Sequence, residues 1–388
     1  MRIALPKGAE WRVTRGAHAA RITHHVSRFT QQGIALIIVM ISIFVLGMLA
    51  GGFAYSMKVE TKLARNGNSE EQLQWLGRSG VEYARWVLAN SMANPMQPYD
   101  SLDQPWATGS GWLGPTNSPI AEVQKEVHLG DGSFTWEIKD LERKWNINAM
   151  LQPGGQDLMQ NAFTVMGLDA GDVTPLVNSI LNWMDKGTRV QGAHSDDYQR
   201  NTPPYSAKNG PIDDLSELLL IRGVTPEMYW GTSSPDHPMS VFTPRENRSH
   251  MPTDVPSFPV GLVDVFTPLS DGKININTAS AAVLQLIPLV TPMAAEGIVG
   301  SRAGEDDGSG LTGPYRSLDQ VRRVPEVTME MARAIAQFGD VRSKTFQVNV
   351  TATVNNYTRH FSAVLGRNNP RDIQVLSFYW TDPEGQKH

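Results

Sequence analysis

The sequence predicts an α+β chain that begins with one long membrane-crossing helix. Three observations point there: an uncharged run from Ile34 to Met57, period-two alternation at Phe134–Ile138 and Phe346–Val354, and about two hundred mainly helical residues between those strand regions. Strands at both ends with helices between them imply a helical domain inserted into a small head with an antiparallel sheet.

The run Ile34–Met57 holds 24 residues without a charge. As a helix it reaches about 36 Å, enough to cross the hydrocarbon layer. It exceeds the 7–15-residue apolar core of a cleaved secretory signal, and no small-residue cleavage site precedes a new domain. Instead the segment from Lys58 to Asn94 carries helix-forming residues and no proline before Pro95, interrupted only by Gly67, Gly77 and Gly80. One helix, half in lipid and half in water, is therefore expected. Residues 1–33 hold six basic side chains (Arg2, Lys7, Arg12, Arg15, Arg21, Arg28) against the single acid Glu10. That excess places the N-terminus in the cytoplasm and the remainder outside it. Gly47 and Gly51 form a small-xxx-small pair through which another helix can approach closely.

The whole chain of 388 residues carries a formal charge of −5, so beyond its basic start it is acidic and lacks the footprint of a nucleic-acid binder. It has no cysteine, which excludes disulfides, thiolate metal sites and cysteine nucleophiles.

In the head, Phe134, Trp136 and Ile138 alternate with polar residues, as do Phe346, Val348, Val350, Ala352 and Val354, the signature of strands with one buried face. Asn355-Asn356 reads as a turn into Phe361, Ala363 and Leu365, and Ile373–Trp380 as a last strand. Gln97–Pro119 and Ser233–Pro259 read as loops. Within the insertion, Leu215–Glu227, Ala279–Val299 and Leu318–Phe338 read as helix-hairpin-helix units turning at Arg222-Gly223-Val224-Thr225, Ile287-Pro288-Leu289-Val290 and Val324-Pro325-Glu326-Val327. Such hairpins can offer glycine N–H groups to phosphate, which raises a DNA-binding alternative. Leu289 and Glu326 stand where those glycines are expected after Pro288 and Pro325. The first hinders close approach and the second repels phosphate, so the hairpins are expected to scaffold protein contacts.

No G-x-S-x-G, H-E-x-x-H or G-x-x-x-x-G-K-[ST] motif is present, and no enzymatic activity is expected. His194, Ser195 and Asp196 are consecutive, a spacing that does not converge as a triad. Asp185, Asp196 and Asp197 offer hard oxygen ligands of the kind calcium prefers, and Glu305, Asp306 and Asp307 form a second acidic turn.

Gln31-Gln32-Gly33-Ile34-Ala35-Leu36 resembles the processing site of type IV pilins and pseudopilins. The resemblance implies that a prepilin peptidase cuts after Gly33 and methylates the amine of Ile34. Two departures stand out, Ile34 in place of the usual Phe and a leader of 33 residues. The fifth position after the cut is Ile38, where ordinary pilins carry a Glu that neutralises a neighbour's terminal amine. An uncompensated charge near the bilayer centre costs roughly 2.5–3.5 kcal/mol even on the gentlest scale, so a subunit with a neighbour above it needs the acid and a tip subunit does not. Lacking it is the pattern of the K-type minor pseudopilins of type II secretion. Leu141–Ala149, Asn178–Tyr229 and Asp271–Pro288 also resemble that family, in its order.

The resemblance implies a pilin-like α+β head interrupted by a helix-hairpin-helix (SAM-like) insertion. The expected segments are a cleaved leader 1–33, a span 34–57, a stem continuation 58–95, the first part of the head 96–150, the insertion 151–343 and closing strands 344–388. It further implies a single-pass protein of the bacterial inner membrane with a periplasmic head. The expected partners are the I- and J-type minor pseudopilins, other pseudopilus subunits, the prepilin peptidase and inner-membrane lipid, with no nucleic acid. Calcium in the insertion is implied as well. A tip subunit of a related type IV pilus or competence fibre stays open as the alternative.

Overall fold

The computed structural model describes residues 29–113, 122–185, 192–231, 258–303 and 313–381. The leader before residue 29, most of the loop Ser233–Pro259 and the acidic turn Glu305–Asp307 lie outside the described residues. The chain divides into two compact units, Met1–Gly67 and Asn68–His388. One helix, Phe29–Ala93, contributes to both.

In the first unit the helix holds the uncharged run, long and apolar enough to cross a membrane. Its large side chains from Ile34 to Met57 are exposed, as a lipid-facing surface requires. Ile38 is among them, and beyond the helix's own nearby backbone no atom among the described residues lies within 4 Å of a would-be Cβ at Gly47 or Gly51.

In the second unit the same helix becomes amphipathic. Leu73, Leu76, Val81, Ala84, Val87 and Leu88 recur at helical spacing and are buried. They pack on one face of a five-stranded antiparallel sheet. Its strands are β1 (Glu126–Leu129), β2 (Gly132–Asp140), β3 (Thr345–Val354), β4 (Tyr357–Asn369) and β5 (Asp372–Thr381), in the order β5-β4-β3-β2-β1. The register aligns Phe134 with Ala352, Trp136 with Val350 and Ile138 with Val348, so the alternating apolar residues share the helix-facing side. Asn355 adopts φ 54 in the β3–β4 turn, where asparagine tolerates the left-handed region. Gly77 and Gly80 sit where the helix comes closest: a Cβ at Gly77 would meet the Phe361 ring at 2.5 Å, and one at Gly80 would meet Val350 Cγ1 at 2.5 Å.

The segment Gln97–Pro119, expected as a loop, contains in its described part a short helix, Pro105–Thr108, and a two-residue bridge at Gly111–Trp112. Trp106 explains the difference. It is fully buried, donates Nε1–H to Gln104 Oε1 at 2.6 Å and meets the Phe346 ring edge-on, which folds the segment onto the sheet.

Between β2 and β3 lies the insertion, with its own apolar core. Helices Gly155–Val165 and Ala170–Met184 contribute Phe163, Ile180 and Leu181, and the three expected hairpins follow. The core also takes in Tyr99, Trp145, Ile147, Ala149 and Met150, so the helical body begins before residue 151 and reaches back into the segment after the stem helix.

Candidate functional site

The insertion leaves the sheet at the end of β2 and returns at the start of β3, where Asp140 pairs with Phe346. A buried polar cluster closes this neck. Asp140 accepts from Ser343 Oγ at 2.7 Å, Asn275 Nδ2 at 3.2 Å, Glu142 N at 2.9 Å and Thr278 Oγ1. Glu142 accepts from Asp271 N and Thr345 N, each at 3.0 Å, one donor in the insertion and one at the head of β3. Asp100 accepts from Ser343 N at 2.9 Å and from Arg367 Nη2, which also donates to Ser343 O at 2.7 Å. Arg367, 1% exposed, lies over the Phe346 ring. Five separate chain segments, at Asp100, Asp140–Glu142, Asp271–Thr278, Ser343–Thr345 and Arg367, are thereby fixed to one another.

Three buried acids around one buried guanidinium set the electrostatics. Burial raises the Asp140 carboxyl despite its hydroxyl donors. Burial, reinforced by Asp140, pushes Glu142 up to about 8, although the backbone donors from Thr345 and Asp271 pull the other way. A carboxyl raised above its ordinary 4.5 adds stability that is complete below that value and lost as pH climbs through about 8. The melting midpoint is therefore expected to fall between about pH 5 and pH 8, and Glu142→Gln to flatten part of that slope. A variant with the wild-type slope refutes the assignment.

Two Asn-Ile-Asn triplets, at 146–148 and 275–277, act as matching clasps. Asn146 accepts from Asn148 N, and Asn148 both donates to Ile212 O at 2.9 Å and accepts from Ile212 N at 2.8 Å. Asn275 accepts from Asn277 N, and Asn277 does the same to Tyr315 at 2.9 and 2.8 Å. The repeated triplet was the available signal. Asn277→Ala leaves both Tyr315 backbone groups buried and unpaired, an expected loss of about 2 kcal/mol in chemical denaturation.

The three hairpins share one construction. Ile221–Val224, Ile287–Val290 and Val324–Val327 each close with a backbone bond of 3.0–3.1 Å, and Thr225, Thr291 and Thr328 then cap the second helix.

The expected calcium ligands are not drawn together in this way. Among the described residues no group of three His, Cys, Asp or Glu is placed to hold a metal. Asp185 follows the helix Ala170–Met184, and Asp196 and Asp197 belong to the short helix Ser195–Tyr198. The Asp197 carboxylate accepts from His194 N at 2.9 Å and pairs with Arg222 at 3.2 Å. The bond from His194 chiefly holds its carboxyl below the usual range. Asp197→Ala is accordingly expected to lower the melting midpoint equally with chelator and with calcium. A loss confined to calcium-loaded protein identifies a metal ligand instead.

Comparison with known proteins agrees with this architecture. Residues 143–231 match the family model described as type II secretion system (T2SS), protein K. The chain is 24% identical over 218 residues to type II secretion system protein K of Aeromonas hydrophila, covering 51% of this chain and 61% of that one. To the protein K of Pseudomonas aeruginosa it is 23% identical over 287 residues, covering 71% and 73%. The chain thus spans about three fifths of the length of the Escherichia coli (strain K12) and Aeromonas relatives it matches. Its fold is that of a chain in the crystal structure of the GspK-GspI-GspJ complex from the enterotoxigenic Escherichia coli Type 2 Secretion System, with a TM-score of 0.57, 18% identity and coverage of 82% of this chain and 99% of that one. Domain match and relatives make this chain similar to the type II secretion system protein K family, and the fold it shares with the solved complex carries the same stem and insertion between β2 and β3.

Proposed function

We propose that the chain is a minor pseudopilin that sits at the tip of the type II secretion pseudopilus, initiates its assembly with the I- and J-type subunits and supports protein export across the outer membrane. The observation that carries this reading is the stem: an exposed apolar helix with Ile38 in place of an acid. Such a stem has nothing to offer a terminal amine above it, so the top of a stack is where it avoids a stranded charge. The neighbouring structure is a complex with two partners, which supports the same assignment.

The subunit is held in the inner membrane by Ile34–Met57, with its basic start in the cytoplasm and its head in the periplasm, until the fibre extracts it. Its work is mechanical, through helix packing along the stem and contacts of a rigid head, and no bond is made or broken. Gly33 and Ile34 are the peptidase's cleavage and methylation residues. Gly47 and Gly51 admit a neighbouring stem helix.

Two measurements test the proposal. Mass spectrometry of the protein recovered from membranes is expected to find an N-methylated isoleucine from position 34; a functional protein that retains the leader contradicts processing. Purified I- and J-type subunits are expected to co-elute with the chain, and Ile38→Glu to shift it from the tip toward positions with subunits on both sides.

A further inference from the structure

The charges beside the neck are uneven, and the surplus faces a cavity. Lys139 stands near the end of β2 and pairs across the sheet with Gln347 of β3. Together with Arg143 and Lys144, just beyond the strand, it lines a cavity of about 610 Å³ between the sheet and the insertion. Lys139 has a partner, Glu137 at 3.3 Å. Lys144, half-buried, donates to Val263 O and reaches no carboxylate within ion-pair distance among the described residues. Arg143, also half-buried, makes no hydrogen bond or ion pair among them at all. Two acids line the same cavity, and neither pairs with that guanidinium. Asp140 is buried among its own donors, and the Asp264 carboxylate accepts from Gly261 N at 2.9 Å.

The cations also act on one another. Burial chiefly holds the Lys144 ammonium below its usual range; Asp264 offsets part of this, and the like charges of Arg143 and Lys139 add to it. Arg143 opposes Arg302 as well, which burial chiefly lowers to about 10. Arg143 therefore brings the empty fold a repulsion that no partner within the chain offsets, and an anion from outside the chain accounts for it.

The rest of the wall describes that anion. Leu141, Leu215, Val260 and Val263 give the cavity apolar sides. Its volume lies in the roughly 300–1,000 Å³ range of small-ligand sites, where apolar walls hold a body and a few polar groups fix its head. A guanidinium offers paired N–H donors matched to a carboxylate, and one free guanidinium beside one amine suits a single negative charge better than the near-double charge of a phosphate. We propose that this cavity binds an organic carboxylate with an apolar body, its head on Arg143 and Lys144. The inference is independent of the place of the chain in the pseudopilus.

Isothermal titration of the detergent-solubilised full chain at low ionic strength tests the site, with N-acetyl-leucine as probe and N-acetyl-leucinamide as its uncharged counterpart. N-acetyl-leucine is expected to bind at about 1 mM, acetate at least about tenfold more weakly, and the amide not at all. Arg143→Gln is expected to weaken binding about tenfold while leaving the melting midpoint of the ligand-free chain unchanged or higher, and Arg143→Lys to recover part of the affinity. Binding of the amide or of inorganic phosphate as tightly as N-acetyl-leucine, or no binding to the wild-type chain, overturns the site. So does a ligand-free Arg143→Gln chain that melts below wild type, because Arg143 is then held by the chain itself.

Discussion

Replacing Arg367 with methionine is expected to destabilise the head by about 3–5 kcal/mol, a drop of roughly 10 °C in melting midpoint for the detergent-solubilised chain. The guanidinium is enclosed, with its side chain 0% exposed and that of Asp100 3%. Methionine keeps the apolar contact with Phe346 but leaves Asp100 with one fewer donor, beside Asp140 and with no cation in the cluster. Removing one partner of a buried pair strands the other, which is costlier than the pair is worth. Arg367→Met combined with Asp100→Asn is therefore expected to recover part of the loss. A single variant within about 1 kcal/mol of wild type shows that the cluster is not held by this pair.

Gly80→Leu is expected to separate the stem helix from the sheet, at about 3 kcal/mol. Its Cβ falls 2.5 Å from Val350 Cγ1, 2.9 Å from Cγ2 and 3.2 Å from the Phe134 ring. Both neighbours are central core residues with no room to turn aside, and overpacking of this kind costs about 1–3 kcal/mol even for smaller insertions. Helix propensity acts in the opposite sense by about 1 kcal/mol. Gly67→Ala measures that opposing effect alone, because no atom lies within 4 Å of its would-be Cβ. The expected pattern is a slight gain for Gly67→Ala and protease sensitivity of the head for Gly80→Leu; equal stability in the two variants refutes the close contact.

Much of the architecture was legible in the residues because two periodicities carry it. Alternation at 134–138 and 346–354 settled which side chains of β2 and β3 are buried, since a one-residue slip turns a strand's apolar set toward water. The apolar helix was equally plain, because 24 residues without a charge form a stretch long enough to cross a membrane. The hairpins were read at their turns, although their first helices are short or 3-10 in form, as at Leu215–Leu220 and Leu318–Arg323. Trp106, by contrast, folds a segment that looked like an open loop, and no local pattern marks its contact with Phe346.

The polar residues at the neck were the least legible. Asp100, Asp140, Glu142 and Arg367 come from distant parts of the sequence, and each alone reads as an ordinary surface charge. Even Glu142, inside a segment that resembled the family, showed no sign of its burial. The three aspartates of the insertion are the opposite case, near one another in sequence, where the structure engages Asp197 in capping and an ion pair.

By itself the sequence determined what depends on neighbours along the chain: an apolar stem, alternating strands, hairpin turns and the missing acid at position 38. The tertiary structure alone decided which charges would be taken out of water and which glycines would be pressed against a ring or a valine. Burial and charge pairing join residues hundreds of positions apart, and no local period records such a meeting.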